Sequence, residues 1–293
     1  MDKEGAMKLL LTSGGVSNQS IRDALVDMLG KPIAESTALC IPTAMYGMPG
    51  TAVMTWRQIA GQTPTPMVEL GWKSVGMLEL TALPSIDAEN WVPMVRETDA
   101  LLVCGGDVLY LHHWMRESGL ADLFPSLSET VYVGLSAGSM VMAPHVGEEF
   151  VGWKPAAGGD SALGMVGFSI FPHLDNVTCP ENTMAHAERW AARMPVPGYA
   201  VDDLTAIKVV DGAVEIVSEG HGSSSTARRA DRIRNCAPKP SLIDYPSACQ
   251  GRLPSSIQRW KASTYSSGHA PSQGMVPART RCMMASACSL TSS

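Results

Sequence analysis

The segment that most constrains the fold runs from Val131 to Ala143 and reads VYVGLSAGSMVMA. β-Favouring residues lead into Gly-Leu-Ser-Ala-Gly, and a short run of small and apolar residues follows. This pattern predicts a strand, a tight turn and a helix with Ser136 at the apex, because the two glycines remove side chains that would clash in so sharp a turn. Such a turn exposes the serine hydroxyl at the end of the sheet, with the next backbone N–H pointing at the same place. Ser136 is therefore a candidate nucleophile; the alternative is an ordinary strand-to-helix turn with a buried serine.

Strands and helices alternate through the first 220 residues. Strands are predicted at 8–13, 36–41, 74–80, 100–104, 131–135, 164–171, 199–201, 206–210 and 214–217. Helices are predicted at 19–29, 53–59, 88–96 and 108–117, and Asp211-Gly212 predicts a hairpin turn. This order indicates an α/β domain over residues 1–220, with a mostly parallel sheet flanked by helices.

Small or polar residues follow several of these strands, at the edge where parallel α/β sheets bind ligands. Ser13 follows the first strand, Gly106 the strand at 100–104, and His173 the strand at 164–171. A serine nucleophile needs a base, a group that orients the base, and donors for the oxyanion. His173 is the best placed of the five histidines in the first 220 residues to be that base.

Composition limits the classes of protein that the chain can represent. Hydrophobic residues make up 45% of it, yet its longest apolar runs are far shorter than a membrane span. The polar N-terminus does not resemble a signal peptide, so we expect a cytoplasmic protein. Ten of the 22 Lys and Arg residues, but only two of the 28 Asp and Glu residues, lie beyond Gly220. The body is therefore acidic, so we do not expect nucleic acid as its partner. Because the apolar runs are short, we do not expect a membrane either.

Residues 221–293 differ in character from the body. They are rich in Ser, Pro and Arg, keep no helical or strand period, and contain few bulky aliphatic residues. We expect a disordered tail. Its lack of repeats or charge pattern is also typical of translation in a wrong reading frame.

Three motifs occur in order: Gly-Gly-Asp at 105–107, Gly-x-Ser-Ala-Gly-Ser at 134–139, and Pro-His at 172–173. Together with Asp-Asp-x-Thr-Ala-Ile at 202–207, they resemble peptidase family S51 over about residues 8–220. That family includes peptidase E, an α-aspartyl dipeptidase, and more distantly cyanophycinase. The resemblance implies a class I glutamine-amidotransferase-like fold, a flavodoxin-like three-layer sandwich, with serine in place of that superfamily's cysteine nucleophile.

The resemblance also implies roles for individual residues. Ser136 matches the nucleophile and His173 the general base, while the backbone amides of Gly106 and Ala137 would bind the oxyanion. Asp107 stands where peptidase E tends to have Asn, and is a candidate for substrate binding.

The acidic member of the triad stays open. In peptidase E it lies a short way beyond the serine, at a position that is a valine here. Glu148 and Glu149 are the nearest carboxylates, and we prefer Glu149. Asp202 or Asp203 on the closing strand is the alternative, since one carboxylate near the histidine is all that the geometry requires.

Substrate specificity departs from the family pattern. Peptidase E recognises an N-terminal aspartate, which calls for an arginine that can pair with its carboxylate. The matching segment reads Glu-Asn-Thr-Met at 181–184, and Met184 cannot make that pair. Arg189, about one helical turn further on, is the candidate substitute.

These observations predict a serine hydrolase, a dipeptidase-like exopeptidase that acts on short peptides through a Ser-His-acid triad. Neither a metal nor an organic cofactor is needed for this chemistry. An esterase or amidase of the α/β-hydrolase type is one alternative, and an inactive small-molecule-binding protein of the same fold is another. The oligomeric state stays open, a homodimer included.

Overall fold

A computed structural model describes residues 7–156 and 158–219. The tail expected at 221–293 lies outside the described residues. The strands within them are β1 (Lys8–Thr12), β2 (Thr37–Ile41), β3 (Ser74–Met77), β4 (Ala100–Val103), β5 (Val131–Leu135), β6 (Ser169–Phe171), β7 (Gly198–Ala200), β8 (Thr205–Val210) and β9 (Ala213–Ser218). The α-helices are α1 (Gln19–Leu29), α2 (Thr43–Tyr46), α3 (Ala52–Ile59), α4 (Ala88–Glu97), α5 (Val108–Glu117), α6 (Leu120–Leu123), α7 (Ala137–Met140) and α8 (Met184–Ala191).

Seven of the described strands form one sheet in the order β3-β2-β4-β5-β1-β8-β9. The first five are parallel to one another, whereas β8 runs antiparallel to β1, and β9 antiparallel to β8. β6 and β7 pair separately and in parallel. The carboxyl ends of β4, β5 and β1 therefore meet at one edge, next to the start of β8.

The central strands β4 and β5 are buried along their whole length, and β1 from Leu9 onward, because helices cover both faces of the sheet. Leu9 and Leu11 of β1 pack in the cluster that contains residues of α4, α5 and α7. Leu10, between them, packs in the cluster that contains Ile21 and Leu25 of α1. This alternation gives a three-layer α/β arrangement and confirms the fold class predicted from the sequence.

Local sequence signals set several boundaries. Asn18 caps α1 by accepting a hydrogen bond from the backbone N–H of Ile21 at 2.9 Å. Asp211 and Gly212 both have positive φ, as a two-residue turn between β8 and β9 requires.

The strand predicted at 164–171 is wrong over its first half. The structure has a strand at Ser169–Phe171 alone, and Gly164 adopts a φ of +70°. The backbone N–H groups of Met165 and Val166 donate to the carbonyl of Met142, at 2.8 and 3.1 Å. The segment is therefore bonded to the chain just beyond α7 instead of extending β6.

Within the described residues, no helix is long and apolar enough to cross a bilayer.

Tyr132, on β5, supports the turn that follows its own strand. Its buried hydroxyl donates to the carbonyl of Gly138 at 2.6 Å. The N–H of Met142, which would bond this carbonyl in a longer helix, donates instead to Ser139. Tyr132 therefore supplies a partner to a carbonyl that the single turn of α7 does not satisfy.

We predict that Tyr132→Phe lowers the free energy of unfolding by about 1–2 kcal/mol, because it removes a buried donor and leaves its acceptor unpaired. Urea denaturation measures the change. Tyr46→Phe is the control, since Tyr46 is 47% exposed, and we expect it to be close to neutral. Equal stability of Tyr132→Phe and the unmodified protein would contradict the role of this hydrogen bond.

Candidate active site

Ser136 lies between β5 and α7 in a backbone conformation that is rare for an L-residue, with φ 51° and ψ −111°. Its N–H donates to the carbonyl of Thr12 at 3.0 Å, which ties the turn to the end of β1. The Thr12 hydroxyl in turn donates to the carbonyl of Gly134 at 2.7 Å. The turn predicted at 134–138 is thus present, and the neighbouring strand holds it.

Both glycines of the turn are required by close backbone contacts. A Cβ on Gly134 would lie 2.7 Å from the carbonyl oxygen of Gly138. A Cβ on Gly138 would lie 2.2 Å from the carbonyl oxygen of Val103 on β4. Neither position can accept a side chain unless the backbone moves.

His173 follows β6 and faces Ser136. Its Nε2 lies 2.9 Å from Ser136 Oγ, so that an unprotonated Nε2 accepts the hydroxyl proton. Its Nδ1 lies 2.8 Å from Oδ1 of Asp203. The serine, the imidazole and a carboxylate therefore form one continuous hydrogen-bonded array.

Asp203 lies in the turn before β8, and several donors surround its carboxylate. Besides His173, the Ser13 hydroxyl donates to Oδ1 at 2.8 Å, and the Asn176 amide donates to Oδ2. Burial alone would raise the pKa of Asp203, but the hydrogen bonds from His173, Ser13 and Asn176 outweigh it and hold the pKa below its ordinary value. Asp203 is therefore an ionised carboxylate at neutral pH.

Glu149, the preferred acid in the sequence analysis, is placed elsewhere. It forms an ion pair with Arg193, which follows α8. The two carboxylates of the alternative Asp202/Asp203 pair also differ, because Asp202 accepts from the backbone of Leu204 and the hydroxyl of Thr205. Of these carboxylates, Asp203 is the one bonded to His173, whereas Glu149 is paired with Arg193.

Gly105 and Gly106 lie beside the nucleophile. A Cβ on Gly105 would come 3.3 Å from Cβ of Ser136, so the loop after β4 packs directly against the serine. Gly106 has a φ of +136°, and a Cβ there would lie 2.3 Å from the carbonyl of Ala44. Ala137 is the first residue of α7, and its N–H is one of those that a helix leaves without an intrahelical acceptor.

Asp107 is bound by the chain itself. It caps α5 by accepting from the N–H groups of Leu109 at 3.1 Å and Tyr110 at 2.9 Å, and its other oxygen accepts from the N–H of Trp153. Burial raises the pKa of Asp107, although these three N–H groups oppose that shift. Asp107 therefore caps α5 and joins the start of this helix to the backbone at Trp153.

Arg189 lies on the exposed side of α8, whose opposite side buries Ala187 and Trp190. It makes no ion pair with the residues that the structure describes. In the same part of the chain, no three His, Cys, Asp or Glu side chains form a group that could hold a metal ion.

Ser13 and Asn176 were not named as site residues from the sequence. The position of Ser13 could have indicated a role in the site, because Ser13 directly follows β1 at the edge where ligands bind. Asn176 lies in the loop after His173, and nothing in its local sequence distinguishes it from an ordinary turn residue.

A serine on a strained strand-to-helix turn, bonded to a histidine and through it to a carboxylate, is the arrangement of hydrolytic enzymes that use a nucleophile. The model of peptidase family S51 matches residues 9–217, and the chain belongs to that family. This match confirms the resemblance drawn from the motifs.

The comparison with solved structures concerns the fold alone. A protein from Listeria monocytogenes EGD-e, assigned as a peptidase E, aligns with a TM-score of 0.54 and 18% identity, over 73% of this chain and 100% of its own. A peptidase from an acI-B1 actinobacterium aligns with a TM-score of 0.49 and 18% identity, over 74% of this chain and 96% of its own. No curated protein matches the sequence.

We predict that Asp107→Asn lowers the free energy of unfolding by about 1 kcal/mol, because the single amide oxygen can keep the cap at Leu109 and Tyr110 while the NH₂ group would face the N–H of Trp153. Asp107→Ala should lower it by about 1–2 kcal/mol, since three backbone donors lose their acceptor. Thermal and urea denaturation of both variants measure these changes. Equal stability of the alanine variant and the unmodified protein would contradict the capping role.

Proposed function

We propose that this protein is a serine-type exopeptidase, dipeptidase-like in its substrates, in which Ser136, His173 and Asp203 form the catalytic triad. The observation that carries the proposal is the pair of contacts through one imidazole, 2.9 Å from Nε2 to Ser136 Oγ and 2.8 Å from Nδ1 to Asp203 Oδ1. Membership of a peptidase family supplies the reaction class.

Acylation begins when Ser136 Oγ attacks the scissile carbonyl carbon. His173 Nε2 takes the hydroxyl proton as the new C–O bond forms, and Asp203 stabilises the resulting imidazolium. The backbone N–H groups of Gly106 and Ala137 would donate to the oxyanion. The imidazolium then protonates the leaving amine, the C–N bond breaks, and an acyl-enzyme ester remains on Ser136.

Deacylation repeats these steps with water. His173 Nε2 removes a proton from the water as its oxygen attacks the ester carbonyl, and the same proton returns to Ser136 Oγ when the ester C–O bond breaks. The acid product leaves, and the enzyme returns to its starting protonation state. Asp203 remains ionised throughout, in keeping with its lowered pKa.

Limited access to the nucleophile supports short substrates. Ser136 is 5% exposed and His173 is 3% exposed. Residues so enclosed favour a small substrate such as a dipeptide over a folded protein chain.

We predict that Ser136→Ala lowers dipeptide hydrolysis by at least about 10³-fold, because the alanine has no group to acylate. A panel of dipeptides and simple esters, assayed by product release, measures it, with circular dichroism as the folding control. Labelling by a fluorophosphonate should occur in the unmodified protein and be lost in the variant. Full dipeptidase activity in Ser136→Ala would contradict the mechanism; ester hydrolysis without peptide hydrolysis would instead indicate an esterase.

We predict that Asp203→Asn lowers kcat by about 10³–10⁴-fold, because the neutral amide cannot stabilise the imidazolium and favours the wrong tautomer of His173. Glu149→Gln is the matched control, since it removes a carboxylate that pairs with Arg193, and we expect it to keep kcat near that of the unmodified enzyme. The reverse result, with Glu149→Gln inactive and Asp203→Asn active, would assign the acid to Glu149.

A further inference from the structure

We infer that Ser13 is a positioning residue of the proposed active site: it fixes the backbone of His173 and orients the carboxylate of Asp203. This inference rests on the proposed function for its kinetic consequences, but its contacts stand independently of it. Ser13 directly follows β1 and is fully buried. It contacts the other two residues through a single oxygen.

The Ser13 hydroxyl both accepts and donates. Its oxygen accepts from the backbone N–H of His173 at 2.7 Å, and its proton is donated to Asp203 Oδ1 at 2.8 Å. The hydroxyl also lies 3.3 Å from His173 Nδ1, farther than the carboxylate. Because hydrogen bonds to a charged acceptor are the shorter and stronger ones, the Ser13 proton belongs to Asp203.

This direction of the bond leaves Nδ1–H of His173 to donate to Asp203 as well. With Nδ1 protonated, Nε2 of the neutral ring is free to accept the Ser136 proton. A Ser13 proton directed at Nδ1 would instead require the opposite tautomer, which cannot act as base. The carboxylate of Asp203 therefore aligns the hydroxyl and the imidazole at the same time.

The backbone of His173 needs such an anchor. Its φ is +55°, a value that non-glycine residues adopt rarely. The residues on either side are held as well: Asn182 donates to the carbonyl of Pro172 at 3.0 Å, and the N–H of Leu174 donates to Val201 at 3.0 Å. Loss of Ser13 would leave the N–H of His173 as a buried donor without this partner.

The segment after Ser13 is shaped to receive Asp203. A Cβ on Gly14 would lie 2.7 Å from Cβ and from the carbonyl oxygen of Asp203, so a side chain there would displace the acid. Ser17 donates to the backbone carbonyl of Asp203 at 2.6 Å. The end of β1 therefore holds both the main chain and the carboxylate of Asp203.

The imidazole of His173 is bonded to one charged group, so a change at that group should alter the ionisation of the ring. Among the described residues, the side chains bonded to the ring are Asp203, Ser13 and Ser136, of which only Asp203 carries charge. The neighbouring Asp202 bonds within its own turn, and Asp175, two residues beyond the histidine, is exposed. Removing the Ser13 donor leaves more negative charge on the oxygen that faces Nδ1, which favours the imidazolium.

The test is Ser13→Ala in the full chain, with two readouts. NMR of ring-labelled histidine should show the titration midpoint of His173 moving to higher pH, and the acid limb of the kcat/KM profile should move with it. We expect kcat to fall about 10-fold or more with little change in KM, because the backbone of His173 loses its anchor and a more stable imidazolium gives its proton to the leaving amine less readily. Ser13→Thr, which keeps the hydroxyl, should restore both the titration midpoint and kcat.

Ser36→Ala is the matched control, since Ser36 is also fully buried and bonds Pro32 far from the site, at the start of β2. We expect it to lower stability and leave the titration and kcat unchanged. If Ser13→Ala does not fold, Ser13→Cys, of similar size and a much weaker donor, takes its place. An unmoved midpoint, or one moved to lower pH, would overturn the inference. If the unmodified protein hydrolyses no dipeptide, the proposed function fails, while the NMR titration still decides the role of Ser13.

Discussion

The backbone conformation of Ser136 is the constraint on which the rest of the site depends. A strained conformation of this kind costs about 1–3 kcal/mol and persists only where the surrounding structure enforces it. Here β1 and β4 enforce it: Thr12 accepts from the Ser136 N–H, and Gly138 lets α7 reach within van der Waals contact of Val103. The hydroxyl is thereby directed at His173, and the first N–H groups of α7 lie at its side. If the turn were looser, the same residues would be present in the sequence, but they would not form the hydrogen-bonded array of Ser136, His173 and Asp203.

The second constraint is that Asp203 must remain charged although its side chain is half-buried. Burial opposes ionisation, and a carboxylate without partners there would be protonated more readily. Donors from two segments, Ser13 after β1 and His173 with Asn176 after β6, reverse that effect. Because these segments are distant in sequence, the charge is available only in the folded protein. Asp107 shows the contrast, since its three backbone donors do not outweigh its burial and its pKa is raised.

The sequence predicted the parts of this structure that local patterns determine. The strands of the central sheet, the hairpin turn at Asp211-Gly212 and the turn at Ser136 depend on neighbouring residues, and so does the position of His173 after a strand. The carboxylate that is bonded to His173 could not be identified in this way. Asp203 reaches His173 because β8 returns antiparallel beside β1, a pairing between residues nearly 200 positions apart, whereas Glu149 was preferred for its distance along the chain. The shortened β6 has a similar cause, since the segment after Gly164 is bonded to the chain beyond α7.

The central claim is that Asp203 and His173 share a hydrogen bond that prepares Nε2 to accept the Ser136 proton. The most direct measurement is the ¹H NMR signal of the His173 Nδ1 proton, assigned in protein labelled with ¹⁵N-histidine. The account predicts a low-field signal in the unmodified protein that persists in Glu149→Gln and disappears in Asp203→Ala. Its persistence in a folded Asp203→Ala protein, together with its loss in Glu149→Gln, would contradict the account.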